Sequence, residues 1–288
     1  MDARPVLGVI GGSGLYEMEG LEGVELRELD TPFGKPSSPV MLGELEGRSI
    51  AFLARHGIGH IYSPGEVNYQ ANIYALKMLG VERIVSVSAC GSLRDDYAPG
   101  EIVIPDQLFD HTHSRRRSFF GNGLVAHISV GDPLCTDLSH NLSQSVSAVG
   151  GKVHLGGAFI TIDGPRFSTR AESNTYRAWG MSIIGMTTSP EAFLAREAEM
   201  CYAVMAHVTD YDVWHMSEEP VTVEVVVRIL KANNQLAQKA IAHLAVNIPD
   251  EPNCDCGQAL DGAFITNPEM IPSETHKKLS LLVERYLS

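Results

Sequence analysis

Cys201-Tyr202-Ala203-Val204-Met205-Ala206-His207-Val208, followed at once by Thr209-Asp210-Tyr211-Asp212, is the stretch that orders the rest of the chain. A run this apolar and this short reads as a buried strand. Side chains alternate faces along a strand, so Asp210 and Asp212 are expected on the same side of its end. Two carboxylates so placed cannot both ionise cheaply, and one of them is expected to keep its proton above the usual carboxylate range.

The same grammar repeats outward from that strand. Residues 6–10 read as a first strand ending in Gly11-Gly12-Ser13-Gly14, and 40–45 with 49–54 as a strand pair split by Glu46-Gly47. A helical period over 67–79 stops at Gly80, a plausible C-cap. The β-branched run 83–88 ends at Ala89-Cys90-Gly91-Ser92, and 101–105, 154–162 and 182–186 add further strands. Helical segments are expected over 171–179, 190–200 and 220–245, with a last one over about 273–287. Alternating strands and helices predict a layered α/β fold, helices on both faces of a central sheet. No composition break or repeat divides the 288 residues, so a single domain is expected, with an irregular excursion over about 249–272 rich in Pro, Asn, Asp and Gly.

The bulk numbers narrow the function. Against 22 Lys and Arg stand 35 Asp and Glu, a net charge of −13. An acidic surface repels phosphate backbones, which argues against nucleic acid and against docking on anionic membranes, while leaving room for one small anion in a local cationic pocket. The N-terminus lacks the apolar core of a signal peptide, and no stretch reaches the roughly 18 apolar residues of a membrane span. Cys90, Cys135 and Cys201 are isolated in sequence and read as reduced core residues. Cys254-Asp255-Cys256 reads equally as a strained, easily reduced disulfide or as two free thiols. A cytoplasmic enzyme is the expectation.

Several strand ends carry groups suited to an anion. Glycines in Gly11-Gly12-Ser13-Gly14 let backbone N–H groups approach an anion, and Ser13 adds a hydroxyl; a tight turn without ligand is the alternative. As a dinucleotide fingerprint the loop fails, because Glu17 stands where a third glycine is needed. Arg55-His56 follows the strand ending Phe52-Leu53-Ala54, and an arginine there offers phosphate a two-pronged grip. Ser88-Ala89 and Met186-Thr187-Thr188 repeat the form, an apolar strand and then small hydroxyl residues, as expected where ligands bind beyond strand ends. Arg115-Arg116-Arg117 reads as a solvated surface cluster. His111-Thr112-His113 has no partner at a zinc spacing, so no metal site is expected. The Asp210–Asp212 pair suits a purine edge that offers a ring nitrogen and an exocyclic amine, and Phe167 could stack on its face.

At this point the motifs resemble a known family. Gly11-Gly12-Ser13-Gly14-Leu15, Asp30-Thr31-Pro32-Phe33-Gly34-Lys35-Pro36-Ser37, Leu53-Ala54-Arg55-His56-Gly57, Val67-Asn68-Tyr69-Gln70-Ala71-Asn72, Ala89-Cys90-Gly91-Ser92-Leu93, Gly164-Pro165-Arg166-Phe167-Ser168, Met186-Thr187-Thr188 and Thr209-Asp210-Tyr211-Asp212 are similar, in order, to those of the 5′-methylthioadenosine phosphorylases. These belong to the trimeric branch of the purine nucleoside phosphorylases. The resemblance implies a nucleoside phosphorylase fold, one α/β domain with a twisted, mixed and partly barrel-like sheet. It implies a pentosyltransferase that cleaves 5′-methylthioadenosine with phosphate, giving adenine and 5-methylthioribose 1-phosphate.

On matching positions, the resemblance makes Ser13, Arg55, His56, Ser88, the Ala89 backbone and Thr187 phosphate ligands. Met186 would lie against the ribose, Phe167 against the base, Val223 and Val226 beside the methylthio group, and Asp210 and Asp212 on the adenine edge. His127 resembles the residue lent to a neighbouring subunit, which implies oligomerisation; the trimeric branch implies a homotrimer, and Cys254-Asp255-Cys256, similar to the C-x-C tail of certain archaeal and often hexameric versions, leaves a hexamer built as a dimer of trimers open. Phosphate is a co-substrate, and no cofactor is implied. A purine nucleoside phosphorylase of broader or 6-oxopurine specificity is the alternative; a nucleotide-cofactor oxidoreductase and a non-catalytic nucleoside binder are more distant rivals.

Overall fold

The computed structural model describes residues 4–12, 18, 20–215 and 223–287, the side chains of 223–233 excepted. The chain opens with β1 (Leu7–Gly11), β2 (Leu21–Arg27), β3 (Val40–Leu45) and β4 (Arg48–Ala54), and α1 (Tyr69–Met78) follows. Next come β5 (Arg83–Ser92), β6 (Ile102–Ile104), β7 (Gln107–His111) and α2 (Thr136–Ala148). Then β8 (Val153–Leu155), β9 (Ala158–Ile162), α3 (Arg170–Ala178), β10 (Ile183–Gly185) and α4 (Thr188–Glu197) lead to β11 (Cys201–Asp210), α5 (Val223–Asn247) and α6 (Ser273–Val283).

Everything hinges on β5. Its first half pairs in parallel with β1 on one side, Gly8 to Ile10 against Ile84 to Ser86, and with β11 along the other side. Beyond Ser86 the flank left by β1 is taken up by β10, antiparallel, with Ile184 against Gly91 and Ile183 against Ser92. The sheet therefore forks. One arm runs β1-β4-β3-β2, a second β10-β9-β7, and a third leaves through β11 to β6 and β8. The expected barrel-like character is corrected by this branching: among the described residues the sheet is open, with β2, β7 and β8 at its ends.

The apolar run of β11 is buried on both faces, which explains its composition. Tyr202, Val204, Ala206 and Val208 enter one core with residues of α1, α4 and α6; Cys201, Ala203 and Met205 enter the other with α2 and α5. In β5, Ile84 and Cys90 divide in the same way from Val85 and Val87. Helices thus cover both faces, as the alternating pattern predicts.

Three departures have physical causes. The strand expected over 83–88 runs on to Ser92, because β10 and β11 continue to bond it. The strand expected over 154–162 breaks into β8 and β9 at Gly156 and Gly157, whose φ of 98° and 106° only glycine adopts cheaply. The helix α2 has no counterpart in the reading above. Its apolar stripe of Leu138, Leu142 and Val146 is diluted by serines, which compete with a helix by bonding nearby backbone. Over 249–272 only the short 3-10 turns Asp255–Gln258 and Pro268–Met270 occur among the described elements, as an irregular excursion requires.

Candidate active site

Where β1 has left β5 and β10 has not yet arrived, the sheet has a gap. Continuing the two registers puts Gly12 beside Ser88 from one side and Thr187 opposite Ser88 from the other. Arg55 closes the floor of the gap. Its backbone N–H donates to Gly11 O (3.0 Å), and its guanidinium donates to Ser86 Oγ (2.6 Å), Val87 O (3.2 Å) and Ile10 O (3.4 Å). Only 2% of its side chain is exposed, so it needs a counter-charge. Glu191 of α4 supplies it, at 2.9 Å from both Nε and Nη2, and Tyr202 donates its hydroxyl to the same carboxylate (2.7 Å). Burial works against the charged guanidinium, but Glu191 more than reverses this and holds the Arg55 pKa above its ordinary value. The expected two-pronged grip on an anion is therefore corrected: that edge belongs to Glu191, and Nη1, which donates to Val87 O, has one hydrogen left without an acceptor among the described residues.

Around this charge lie hydroxyls that have no partner. Ser88, Thr187, Thr188 and Ser189 are all buried, and none of their side-chain oxygens is hydrogen-bonded among the described residues. A buried unsatisfied hydroxyl costs about 1–3 kcal/mol, so a cluster of them is informative. An oxyanion entering the gap would accept from them. His56 stands at the rim. Its Nδ1–H donates to Tyr62 O (2.9 Å) and its ring stacks on His60, with centroids 4.3 Å apart. Burial, and then the charge of Arg55, push its pKa down to about 4. A neutral imidazole protonated at Nδ1 leaves Nε2 to accept an O–H from an incoming oxyanion.

Three residues further along β5, on the order of 10 Å at strand spacing, the acidic pair closes the other end. Its geometry corrects the alternation argument. Thr209 forms a bulge, so that Asp210 rather than Thr209 faces Gly91. Asp212 has left the strand altogether and starts a 3-10 turn at φ 52°. The two carboxyls meet through that turn, in which the Asp212 N–H donates to Asp210 Oδ1 (2.7 Å). Both pKa values are raised, and in each case burial is the leading cause. The Asp212 charge contributes to Asp210 only as the last cause, so desolvation does most of what mutual repulsion was expected to do.

Two details suit this end to proton transfer and recognition. The Thr209 hydroxyl lies 2.7 Å from Asp210 Oδ2 and 3.2 Å from Cys90 O. It has one proton, so it can donate to an ionised Asp210, or turn to Cys90 O and accept from a protonated one. Asp212 Oδ2 is buried and makes no hydrogen bond among the described residues, and the Ser173 hydroxyl, which pulls the Asp212 pKa down against burial, is itself unpaired. Gly91 makes room for both acids, since a β-carbon there would sit 3.0 Å from Asp210 Oδ1 and 3.2 Å from Asp212 Cβ.

Between the two ends lies Met186, half-buried directly after β10. The loop bearing Phe167 folds onto it: Gly164 has φ 65°, and a β-carbon there would lie 2.5 Å from Met186 Sδ. Phe167 is exposed. His127 is exposed in a loop whose recorded partner is the tail, the His127 N–H donating to Ala263 O (2.9 Å). No hydrogen bond or ring contact among the described residues ties it to the gap. Ser13 lies outside the described residues. Val223 and Val226 fall in the first turn of α5, and their side chains are likewise outside them.

Sequence reasoning missed Arg115. The arginine cluster is not simply a solvated face: the Arg115 side chain is 2% exposed. It donates to Tyr69 Oη (3.2 Å), Met186 O (2.7 Å), Ser189 O (2.7 Å) and Asp163 O (2.9 Å). It thereby fixes the backbone on both sides of Thr187 and ties it to the end of β9. Arg117 pairs with Asp110 at 2.6 Å instead. A triple-arginine run gives no local hint as to which member turns inward.

These features, forked strand ends with buried unpaired hydroxyls and, three residues along β5, a buried acid pair, are those of a nucleoside phosphorylase. The chain belongs to the phosphorylase superfamily, whose family model matches residues 6–246. It is 53% identical over 283 residues to the S-methyl-5′-thioadenosine phosphorylase of Geobacter sulfurreducens, covering 98% of this chain and 99% of that one. The enzyme of the same name from Koribacter versatilis is 48% identical over 280 residues, covering 97% and 96%. Among solved structures, a methylthioadenosine phosphorylase from an antarctic soil metagenomic library superposes with a TM-score of 0.93 at 45% identity, covering 97% and 99% of the two chains. The Schistosoma mansoni methylthioadenosine phosphorylase in complex with adenine gives 0.82 at 34% identity, covering 90% and 97%.

Proposed function

We propose that the protein cleaves 5′-methylthioadenosine with inorganic phosphate, releasing adenine and 5-methylthioribose 1-phosphate. One observation carries this reading: a single strand, β5, has the unpaired Ser88 hydroxyl beside Arg55 at one point and Gly91 against the two acids a nucleoside's length away. Relatives of that activity at about half identity over nearly the whole chain support it.

Cleavage of an N-glycosidic bond builds positive charge on the ribose and negative charge on the leaving purine. Phosphate in the gap is held by Ser88, Thr187, the Ala89 backbone, Ser13 and the free edge of Arg55, and His56 accepts its P–OH. It stabilises the ribosyl cation and attacks C1′. Asp210, whose pKa burial raises, delivers its proton to the purine N7. Asp212 accepts from the exocyclic amine, which satisfies its buried Oδ2. A 6-oxopurine would place an acceptor against that acceptor, at a cost of about 1–3 kcal/mol. Met186 lies against the ribose and Phe167 closes over the base, while Val223 and Val226 line the methylthio pocket. His127, exposed on its loop, reaches the pocket of a neighbouring copy in a homotrimer or a dimer of trimers.

The direct test is incubation with 5′-methylthioadenosine with and without phosphate. Adenine is expected only when phosphate is present. Adenine released without phosphate would make the protein a hydrolase, and substrate binding with no adenine in either case would leave it a binding protein.

A further inference from the structure

Four of the five cysteines, far apart in sequence, arrive at one place in the fold. Cys135 caps the N-terminus of α2, Cys201 is the first residue of β11, and Cys254 and Cys256 come from the irregular segment after α5. Their sulfurs all lie within 4.8 Å of one another, with Cys201 and Cys254 at 3.3 Å, and all four are free thiols. Cys135, Cys201 and Cys256 are buried and Cys254 is partly open. Cys135 and Cys201 are the reduced, buried residues expected of them, and Cys254 and Cys256 are two free thiols and not a disulfide; their convergence on one point is what the sequence did not show.

We propose that Cys135, Cys201, Cys254 and Cys256 bind a single zinc ion as a closed tetrathiolate site. A tetrahedron with Zn–S of about 2.3 Å needs sulfur–sulfur spacings of about 3.8 Å, within the range spanned here. An iron–sulfur cluster, with several metal and sulfide atoms inside the cage, would hold the thiolates further apart. Four sulfur ligands with no open position match a structural zinc site. The surroundings suit the charge that results. Binding exchanges four thiol protons for one Zn2+, with no redox change, and leaves a net charge of −2 on the centre. The Leu138 N–H donates to Cys135 Sγ (3.4 Å) and Arg196 Nη1 to Cys256 Sγ (3.4 Å), while Arg196 Nη2 is anchored on Asp132 O (2.7 Å). Donors of this kind orient and stabilise bound thiolates. The partly open Cys254 leaves a way in for the ion.

The ion would take no part in the reaction. Cys201 and Asp210 stand at opposite ends of β11, nine residues or about 30 Å apart at strand spacing. Its effect is to fasten the tail to the core. The tail then holds the His127 loop through Ala263 O and through the Ile265 N–H donating to Val125 O (3.1 Å).

The test is elemental analysis and native mass spectrometry of the full-length, tag-free enzyme. About one zinc per chain is expected, released with the colour change of a zinc indicator when a mercurial titrates the thiols, and absent from the Cys254→Ser/Cys256→Ser double variant. Should that variant fail to fold, the wild-type stoichiometry and the mercurial release decide alone. Zinc retained by a folded double variant would overturn the site. So would metal-free protein whose mass shows two disulfides, or metal-free protein with all five thiols open to alkylation. Iron in place of zinc would overturn the choice of ion.

Discussion

At its first residue β11 brings Cys201 into a group of four sulfurs, and at its last it sets Asp210 beside Asp212. Both ends gather weak acids out of water, but their surroundings differ. Around the sulfurs, ligands converge from three separate parts of the chain, with an arginine N–H on one of them, an arrangement suited to a permanent cation. Around the carboxyls, what opposes burial is a hydroxyl, from Thr209 at Asp210 and from Ser173 at Asp212, and a backbone N–H at each, and the net shift is upward. The contrast teaches that clustering acids does not by itself define a site. Whether a positive charge faces them decides between a fixed ionic centre and a group that keeps a proton to give away. The Arg55–Glu191 pair is a third outcome, in which one buried charge neutralises the other.

The sharpest way to break that contrast is at Asp210. Asp210→Asn keeps the shape and removes the transferable proton, so kcat with 5′-methylthioadenosine should fall by about 10²–10⁴-fold. Because a general acid acts in its protonated form, wild-type kcat should fall as pH rises through the Asp210 pKa, which burial raises. The variant should lose this limb. Wild-type turnover in the variant would leave the acid pair without a catalytic role.

Next in size is Glu191→Gln, which strands the Arg55 charge in the core. Removing one partner of a buried pair costs about 3–5 kcal/mol, read as a drop in denaturation midpoint. The double change Arg55→Met/Glu191→Leu should recover much of that stability and still leave a raised KM for phosphate. If the double variant binds phosphate like wild type, Arg55 serves the fold alone.

A smaller effect is expected at Asp212. Asn tolerates the left-handed φ of 52° at that position, so Asp212→Asn should fold normally. Its amide can turn a donor toward a 6-oxo group, and the ratio of kcat/KM for 5′-methylthioadenosine over inosine should narrow by about 1–3 kcal/mol in free-energy terms. An unchanged ratio would shift recognition of the exocyclic group to another residue.

The sequence made β11 and the order of the motifs legible because both depend on local features: a short apolar run, and small residues at strand ends. The position of Asp212 was not legible, because a bulge at Thr209 and a left-handed turn break the alternation on which a period-two argument rests. Arg115 was hidden for a related reason. Its acceptors lie on Tyr69, Asp163, Met186 and Ser189, all distant in sequence, so nothing adjacent separates it from Arg116. The cysteines were missed because metal spacings are sought within one stretch of chain, whereas this cage is assembled from three.

Glu197 offers the finest test, as a buried acid with no cation paired to it among the described residues and no place in the gap. It lies in the last turn of α4, accepting from Ser118 Oγ (2.6 Å) and the Phe119 N–H (2.6 Å). Burial raises its pKa from 4.5 to about 7, against the pull of those two donors. The folded state therefore binds this proton more tightly than the unfolded chain does, and the stability the proton confers is complete below about pH 4.5. That stability is lost as pH rises through about 7. Glu197→Gln, neutral throughout and still able to accept from Phe119, should flatten this part of the stability–pH curve, by about 3 kcal/mol across the window. The pH profile of kcat should not move, because Asp210 governs it. If both curves shift together, the pH behaviour of the site is not set by local burial, and the distinction between a proton kept for catalysis and one kept by the fold fails.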